Sequence, residues 1–142
     1  MSLPPLDRDA VARCVAAALA EDLGSDGDVT TQAVVPAHRK ARATLVAREP
    51  MVLAGLAVAE DVFRQLDPAV VFSALAKDGE HVAAGAVVAT AEGPARALLQ
   101  GERTALNFLQ RMSGIATATR AAVLEIAGTE ATILDTRKTA PG

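Results

Sequence analysis

Two kinds of apolar spacing alternate along the first 75 residues of the chain. Small and apolar side chains recur every three or four positions over residues 7 to about 21, which predicts a first helix with Asp7 near its start. The same spacing over residues 55–66, closed by Asp67-Pro68, predicts a second, amphipathic helix. Shorter apolar or alternating runs predict strands at residues 41–48, 51–53 and 69–75, the second of them continuing the sheet after Pro50.

Two turns divide residues 77–93 into short apolar pieces. The turns fall at Asp78-Gly79 and near Gly85, and the pattern predicts a small β meander. The spacing Asp-Gly-x-x-Val-x-x-Gly before an apolar strand also resembles the hairpin of biotinyl and lipoyl carrier domains. Such a carrier displays a lysine at the tip of a hairpin, whereas Lys77 precedes the turn. We interpret the pattern as a tight β corner and keep the carrier module as an alternative of a different class.

A long helical pattern begins at Pro94, a residue favoured in the first turn of a helix. Ser113-Gly114 is predicted to break or bend this helix, and Gly128 is the expected stop. The stretch from residue 102 to residue 119 is then one helical hairpin or one bent helix. The apolar stripe of the long helical pattern that begins at Pro94 consists of Leu98, Leu99, Ala105, Leu106, Leu109 and Met112.

Arg103 lies on the shoulder of that stripe, four residues after Leu99 and three before Leu106. We expect its guanidinium to be partly desolvated, so it needs a carboxylate partner. The partner could belong to the protein, as a structural ion pair, or to a ligand.

The last ten residues combine a short apolar run with two cations. Residues 131–134 predict a buried strand, and Thr136, Arg137 and Lys138 follow its end. A planar guanidinium beside a compact ammonium could hold a carboxylate and a phosphate together, so an anion site is predicted there. The alternative is a solvated turn after a strand.

The acidic stretch at residues 21–31 has two interpretations. The spacing of Asp22, Asp26 and Asp28 does not fit a calcium-binding loop, in which acids at alternate positions are closed by a glutamate. A loop whose carboxylates cap backbone N–H groups fits better.

Composition and charge narrow the class of partner. The net charge is −3 over 142 residues, with no basic run, which argues against nucleic acid or an anionic membrane as the main partner. Cys14 is the only cysteine, so an intrachain disulfide is excluded and a reducing compartment, by default the cytoplasm, is expected. Residues 1–21 lack the continuous apolar core of a signal peptide or membrane span.

Several blocks of sequence together resemble the quinolinate phosphoribosyltransferase family, also called carboxylating nicotinate-nucleotide pyrophosphorylases. They occur in the family's order and at approximately its spacing. The blocks are Glu21-Asp22-Leu23-Gly24, Asp28-Val29-Thr30-Thr31, Gly101-Glu102-Arg103-Thr104-Ala105-Leu106-Asn107, Leu109, Ser113-Gly114-Ile115-Ala116-Thr117 and Asp135-Thr136-Arg137-Lys138-Thr139-Ala140-Pro141-Gly142.

The resemblance implies an α/β (α+β) fold class. An N-terminal α/β sandwich domain at residues 1–112 would be followed by the start of an α/β barrel at residues 113–142. The family's later elements have no counterpart in these residues, so catalytic residues are expected downstream of Gly142 and the 142 residues alone are expected to be inactive. A related molybdenum-uptake-associated group shares the general pattern and remains the alternative within this fold.

The resemblance also implies an activity and a binding site. Family members convert quinolinate and phosphoribosyl pyrophosphate to nicotinate mononucleotide, pyrophosphate and carbon dioxide. It implies Arg103, Thr136, Arg137 and Lys138 as substrate-binding residues, with Arg103 serving a neighbouring subunit of a homodimer or larger homo-oligomer. Mg²⁺ is implied together with phosphoribosyl pyrophosphate, with its ligands expected outside this chain.

Overall fold

The computed structural model describes residues 6–136 and 138–139 of the chain. These residues form four helices and five strands, so the fold is mixed α and β. In chain order they are α1 (Arg8–Leu23), α2 (Val29–Val34), β1 (Lys40–Val46), β2 (Met51–Val52), α3 (Leu56–Leu66), β3 (Val71–Ala74), β4 (His81–Val82), β5 (Val87–Pro94) and α4 (Ala95–Glu125).

The strands form two antiparallel sheets. One sheet has the order β1-β5-β3, and the other pairs β2 with β4. Thr90 of the central strand β5 lies opposite Thr44 on one side and Ser73 on the other. The strands predicted at residues 41–48, 51–53 and 69–75 are confirmed as β1, β2 and β3. Two expectations are wrong: β2 does not continue the sheet of β1, and the meander does not form, because β4 and β5 belong to different sheets. The residues between β4 and β5 bond instead to Ala47, whose N–H donates to the Ala86 carbonyl at 2.9 Å.

The helices pack on the face of the larger sheet that carries Leu45, Ala89 and Ala91, all buried. The alanines of β5 have short side chains, so α3 and α4 can approach the sheet closely. Phe63 of α3 stacks on Phe72 of β3 with ring centroids 6.1 Å apart. This arrangement of a helical layer on a sheet agrees with the predicted α+β sandwich.

α4 is one continuous helix of 31 residues, so the predicted break at Ser113-Gly114, and with it the helical hairpin, is wrong, whereas the bend stays a prediction. The Ser113 hydroxyl accepts from the Ala54 N–H at 3.0 Å and donates to the Ala54 carbonyl at 3.2 Å. One turn later, the Thr117 hydroxyl accepts from the Val52 N–H at 2.9 Å and donates to the Ser113 carbonyl at 2.7 Å. These hydroxyls join α4 to the backbone at β2, and we call the pair the Ser113–Thr117 clasp.

The predicted buried strand at residues 131–134 is also wrong. These residues have no regular secondary structure, and Ile133 and Leu134 are 43% and 77% exposed. A strand covered on both faces needs neighbouring strands and helices, and the described part of the chain has no strand paired with this segment. The predicted domain boundary after Met112 falls inside α4 and stays a prediction. Among the described residues, no helix is both long and apolar enough to cross a membrane.

Candidate functional site

An open groove of about 480 Å³ lies between α1 and α4. α4 contributes residues one turn apart, so their side chains line the same wall of the groove. The groove is both acidic and basic, and Arg103 lies in it. Its lining residues are Ala18, Glu21, Asp22, Arg103, Thr104, Asn107, Phe108 and Arg111.

Arg103 crosses from α4 to the end of α1. Its Nη1 donates to Oδ1 of Asp22 at 2.9 Å, which confirms the structural ion pair. The expected desolvation of Arg103 is wrong, because its side chain is 75% exposed whereas that of Asp22 is 19% exposed. The neighbouring Thr104 is buried, so exposure changes sharply from one residue of the groove wall to the next. An exposed guanidinium with one bond to Asp22 keeps further N–H donors for a ligand.

The acidic loop before α2 is organised by Asp28. Its carboxylate accepts from the Thr31 N–H at 2.9 Å and from the Thr31 hydroxyl, and it caps α2. The pKa of Asp28 is lowered from its ordinary value of 3.8, chiefly because the Thr31 hydroxyl donates to it. The Thr31 N–H lowers it further, and the positive charge of Arg103 acts in the same direction. The predicted capping role of the loop is confirmed at this residue.

Of the predicted C-terminal part of the site, the described residues Thr136 and Lys138 do not line the groove that contains Arg103. Thr136 and Lys138 are exposed, and the Lys138 N–H donates to the Thr136 hydroxyl at 3.2 Å. Arg137 lies outside the described residues. Within the described part of the chain, no hydrogen bond or ion pair joins Arg103 to Thr136 or Lys138. The substrate-binding roles of all four residues stay predictions.

The groove contains polar residues that the sequence prediction missed. Asn107 and Arg111 follow Arg103 at intervals of four residues, which places them on its face of α4. That four-residue spacing is the sequence signal that could have identified Asn107 and Arg111 as groove residues. The partnership with Asp22 had no such signal, because 81 residues separate the two in sequence.

The structure does not support the carrier alternative. The turn after Lys77 connects β3 to β4, which lie in different sheets. The Lys77 N–H donates to the Glu80 carboxylate at 3.0 Å, at the start of that turn. A carrier lysine needs a tip joining two paired strands, and this turn does not join such a pair.

Comparison with known proteins identifies the family. The family model for the N-terminal domain of quinolinate phosphoribosyl transferase matches residues 28–113. The chloroplastic carboxylating nicotinate-nucleotide pyrophosphorylase of rice, Oryza sativa subsp. japonica, is 46% identical over 125 residues, 88% of this chain and 33% of the relative. The corresponding chloroplastic protein of Arabidopsis thaliana is 42% identical over 141 residues, 99% of this chain and 39% of the relative.

A solved structure agrees with the family model and with the plant relatives. NadC from Streptococcus pyogenes superposes with a TM-score of 0.92 at 40% identity, over 98% of this chain and 49% of the solved chain. The α+β fold class is thereby confirmed. The chain spans 33% and 39% of the two plant relatives and about half of the bacterial structure. The chain belongs to the quinolinate phosphoribosyltransferase family.

Proposed function

We propose that the protein to which these residues belong transfers a phosphoribosyl group from phosphoribosyl pyrophosphate to quinolinate. Decarboxylation accompanies the transfer, and the products are nicotinate mononucleotide, pyrophosphate and carbon dioxide. The family assignment supports this reaction, because the relatives are named for it or for its carboxylating reverse. The cytoplasm is the proposed compartment, on the basis of the single cysteine.

The observation that carries the proposal is the position of Arg103 in the groove between α1 and α4. Quinolinate is a dianion with two adjacent carboxylates, and a guanidinium can hold a carboxylate through two parallel N–H bonds. Arg103 is mostly exposed and uses Nη1 for Asp22, so its other donors can face such a ligand. Binding a carboxylate there would orient the pyridine ring for attack on the ribose.

Thr136, Arg137 and Lys138 are proposed as the second half of the site. Arg137 would bind the other carboxylate of quinolinate, and Thr136 would add a hydroxyl or backbone contact. Lys138 would balance the negative charge of the phosphoribosyl donor as pyrophosphate leaves.

Mg²⁺ is proposed to enter with phosphoribosyl pyrophosphate. Across residues 6–136 and 138–139, no group of three His, Cys, Asp or Glu side chains is placed to hold a metal ion. The described residues therefore do not fit a magnesium site by themselves, and the roles assigned above involve no metal.

A homodimer or larger homo-oligomer is proposed as the working unit. Arg103 would act in the site of a neighbouring subunit, beside that subunit's Thr136 and Lys138. Ile115 and Val123, both exposed on the second half of α4, lie about 80° apart around the helix and are consistent with a covered helix face.

Carbon dioxide release tests the reaction. The complete protein, given carboxyl-labelled quinolinate and phosphoribosyl pyrophosphate, should release labelled carbon dioxide and form nicotinate mononucleotide. The Arg103→Ala variant should raise KM for quinolinate at least about tenfold, since truncating one partner of a charge pair costs about 2–5 kcal/mol. Arg120→Ala is the matched control, because Arg120 is an exposed arginine on the same helix and does not line the groove.

Two results would contradict the proposal. One is a complete protein that releases no carbon dioxide from quinolinate, and the other is equal KM values for the two arginine variants. A chain of these 142 residues alone is expected to release none above background.

Subunit mixing tests the shared site. Full-length Arg103→Ala and Arg137→Ala variants are mixed under conditions that exchange subunits and are assayed at a quinolinate concentration well below their raised KM, at which each alone has little activity. If Arg103 acts in the partner's site, half of the dimers are mixed and each has one complete site, so about a quarter of wild-type activity returns. No recovery, with exchange confirmed by native mass spectrometry, would place Arg103 in its own subunit's site or outside the mechanism.

A further inference from the structure

The acidic residues of the stretch at residues 21–31 have no role in the proposed reaction, yet two of them interact with Arg103: Asp22 at the end of α1 and Asp28 at the start of α2. Asp22 bonds to it directly at 2.9 Å. Asp28 is fixed at the start of α2 by two bonds from Thr31, and the charge of Arg103 acts on its carboxyl group. Arg103, although it lies on α4, therefore interacts electrostatically with two carboxylates of residues 21–31.

We infer that Asp22 is a positioning residue for Arg103, which holds the guanidinium in the groove with its free donors toward a substrate carboxylate. The inference rests on the proposed function, because it assumes that Arg103 binds a carboxylate of quinolinate. Asp22 does not touch the substrate in this arrangement.

The two partners differ in a way that suits this role. Asp22 lies in the last turn of α1 and is 19% exposed, so its carboxylate is a fixed point. Arg103 is 75% exposed and has a long side chain that samples many rotamers when untethered. One bond to Nη1 removes much of that freedom before the ligand arrives and leaves the other nitrogens unoccupied.

The negative charge of Asp22 has an opposite effect, since it repels a dianion. This repulsion weakens with distance and is screened at an open surface. The ion pair with Arg103 also offsets the charge of Asp22. When Asp22 is removed, we therefore expect quinolinate binding to lose more from the disordered Arg103 guanidinium than it gains from the absence of the Asp22 charge.

Steady-state kinetics of the complete protein separates the two effects. Asp22→Ala should raise KM for quinolinate about two- to fivefold, the range expected for an exposed ion pair. It should leave kcat nearly unchanged, because a carboxylate clamp binds ground and transition states alike. Asp22→Asn should raise KM less, since its amide oxygen still accepts from Nη1 while its charge is gone.

The decisive measurement is the double variant. In the Arg103→Ala background, Asp22→Ala should no longer raise KM, because the group that it positions is gone, and removal of the unpaired carboxylate should lower KM slightly. Glu92→Gln is the matched control, because it breaks the exposed Arg42–Glu92 pair, 3.1 Å long, on the sheet. It should alter neither KM nor kcat. Melting temperatures of all variants identify any that fail to fold.

The outcomes are distinct. A lower KM in Asp22→Ala would mean that Asp22 competes with the substrate, and an unchanged KM would mean that it does not position Arg103. An equal effect with and without Arg103 would mean that Asp22 acts through the fold; each of these overturns the inference alone. A wild-type protein without quinolinate turnover overturns the proposed function and the inference with it.

Discussion

The two halves of α4, residues 95–113 and residues 114–125, are stabilised by different interactions. All of the buried residues of the helix lie between Ala95 and Ser113, and from Gly114 onward none is fully buried. A Cβ added at Gly101 would lie 2.9 Å from the Phe63 ring, whereas one at Gly114 would meet nothing within 4 Å. The first half is therefore fixed by close packing against α3. The second half depends on its own backbone hydrogen bonds and on Thr117.

Removing the hydroxyl at the junction of the halves should have the largest effect. Ser113→Ala leaves the N–H and carbonyl of Ala54 without their side-chain partner, so the free energy of unfolding should fall by about 1–3 kcal/mol. Urea unfolding measures this. Thr119→Ala, on the exposed side of the same helix, should change it by less than about 0.5 kcal/mol. Equal losses in the two variants would mean that the clasp does not join α4 to β2.

Gly101→Ala tests the packed half. The added methyl group overlaps the Phe63 ring and Leu66, and overpacking of this kind costs about 1–3 kcal/mol. Replacing a glycine within a helix by alanine stabilises the helix by about 0.5–1 kcal/mol. The free energy of unfolding should therefore fall by about 1–2 kcal/mol in the same urea titration. A variant more stable than wild type would show that α3 and α4 are not in close contact at this point.

Gly114→Ala is the counterpart in the open half. Its added methyl group meets no neighbour, so only the helix preference of alanine remains. The free energy of unfolding should rise by about 0.5–1 kcal/mol. A loss of stability would contradict the exposed, unpacked position of Gly114.

The smallest effect concerns α2, which braces the packed half. Arg96 of α4 donates to the carbonyls of Gln32 and Val35 at the end of α2, and Asp28 caps its start. Asn is also a good cap, so Asp28→Asn removes mainly the charge. We expect a decrease of a few degrees in the melting temperature at pH 7.

This difference should depend on pH in a defined direction. The pKa of Asp28 is lowered by folding from its ordinary value of 3.8. Its stabilising charge is therefore fully present above pH 3.8 and is lost as the pH falls through the lower folded pKa. Wild type and variant should converge in strong acid, as followed by thermal melts from pH 7 downward. A difference that persists unchanged there would exclude the charge as its cause.

The sequence predicted the elements whose stabilising contacts are local. The spacing of apolar residues is a property of each segment, so α1, α3, β1, β2 and β3 appeared nearly within their observed bounds, whereas the short helix α2 was not predicted. The cap at Asp28 is local too, because its partner is three residues away.

The errors involve distant partners. Ser113-Gly114 looked like a break because the hydroxyl's partner, Ala54, is 59 residues away. Arg103 looked half-buried because its exposure depends on where α1 crosses α4. Residues 131–134 have the composition of a strand, but a strand also requires neighbours, and composition cannot supply them. Of the candidate site, the sequence identified Arg103 but not the groove around it.

The unbroken α4 also acts as a spacer. From Arg103 to Glu125 the helix rises about 33 Å. Tight turns follow, because the Ala127 N–H bonds to the Leu124 carbonyl and the Thr129 N–H to that of Ile126. The seven residues from there to Thr136 reach at most about 25 Å when fully extended. Within one chain, these seven residues are too short to bring Thr136 level with Arg103 even when they run straight back along the helix, a separation that the proposed sharing of Arg103 between subunits would accommodate.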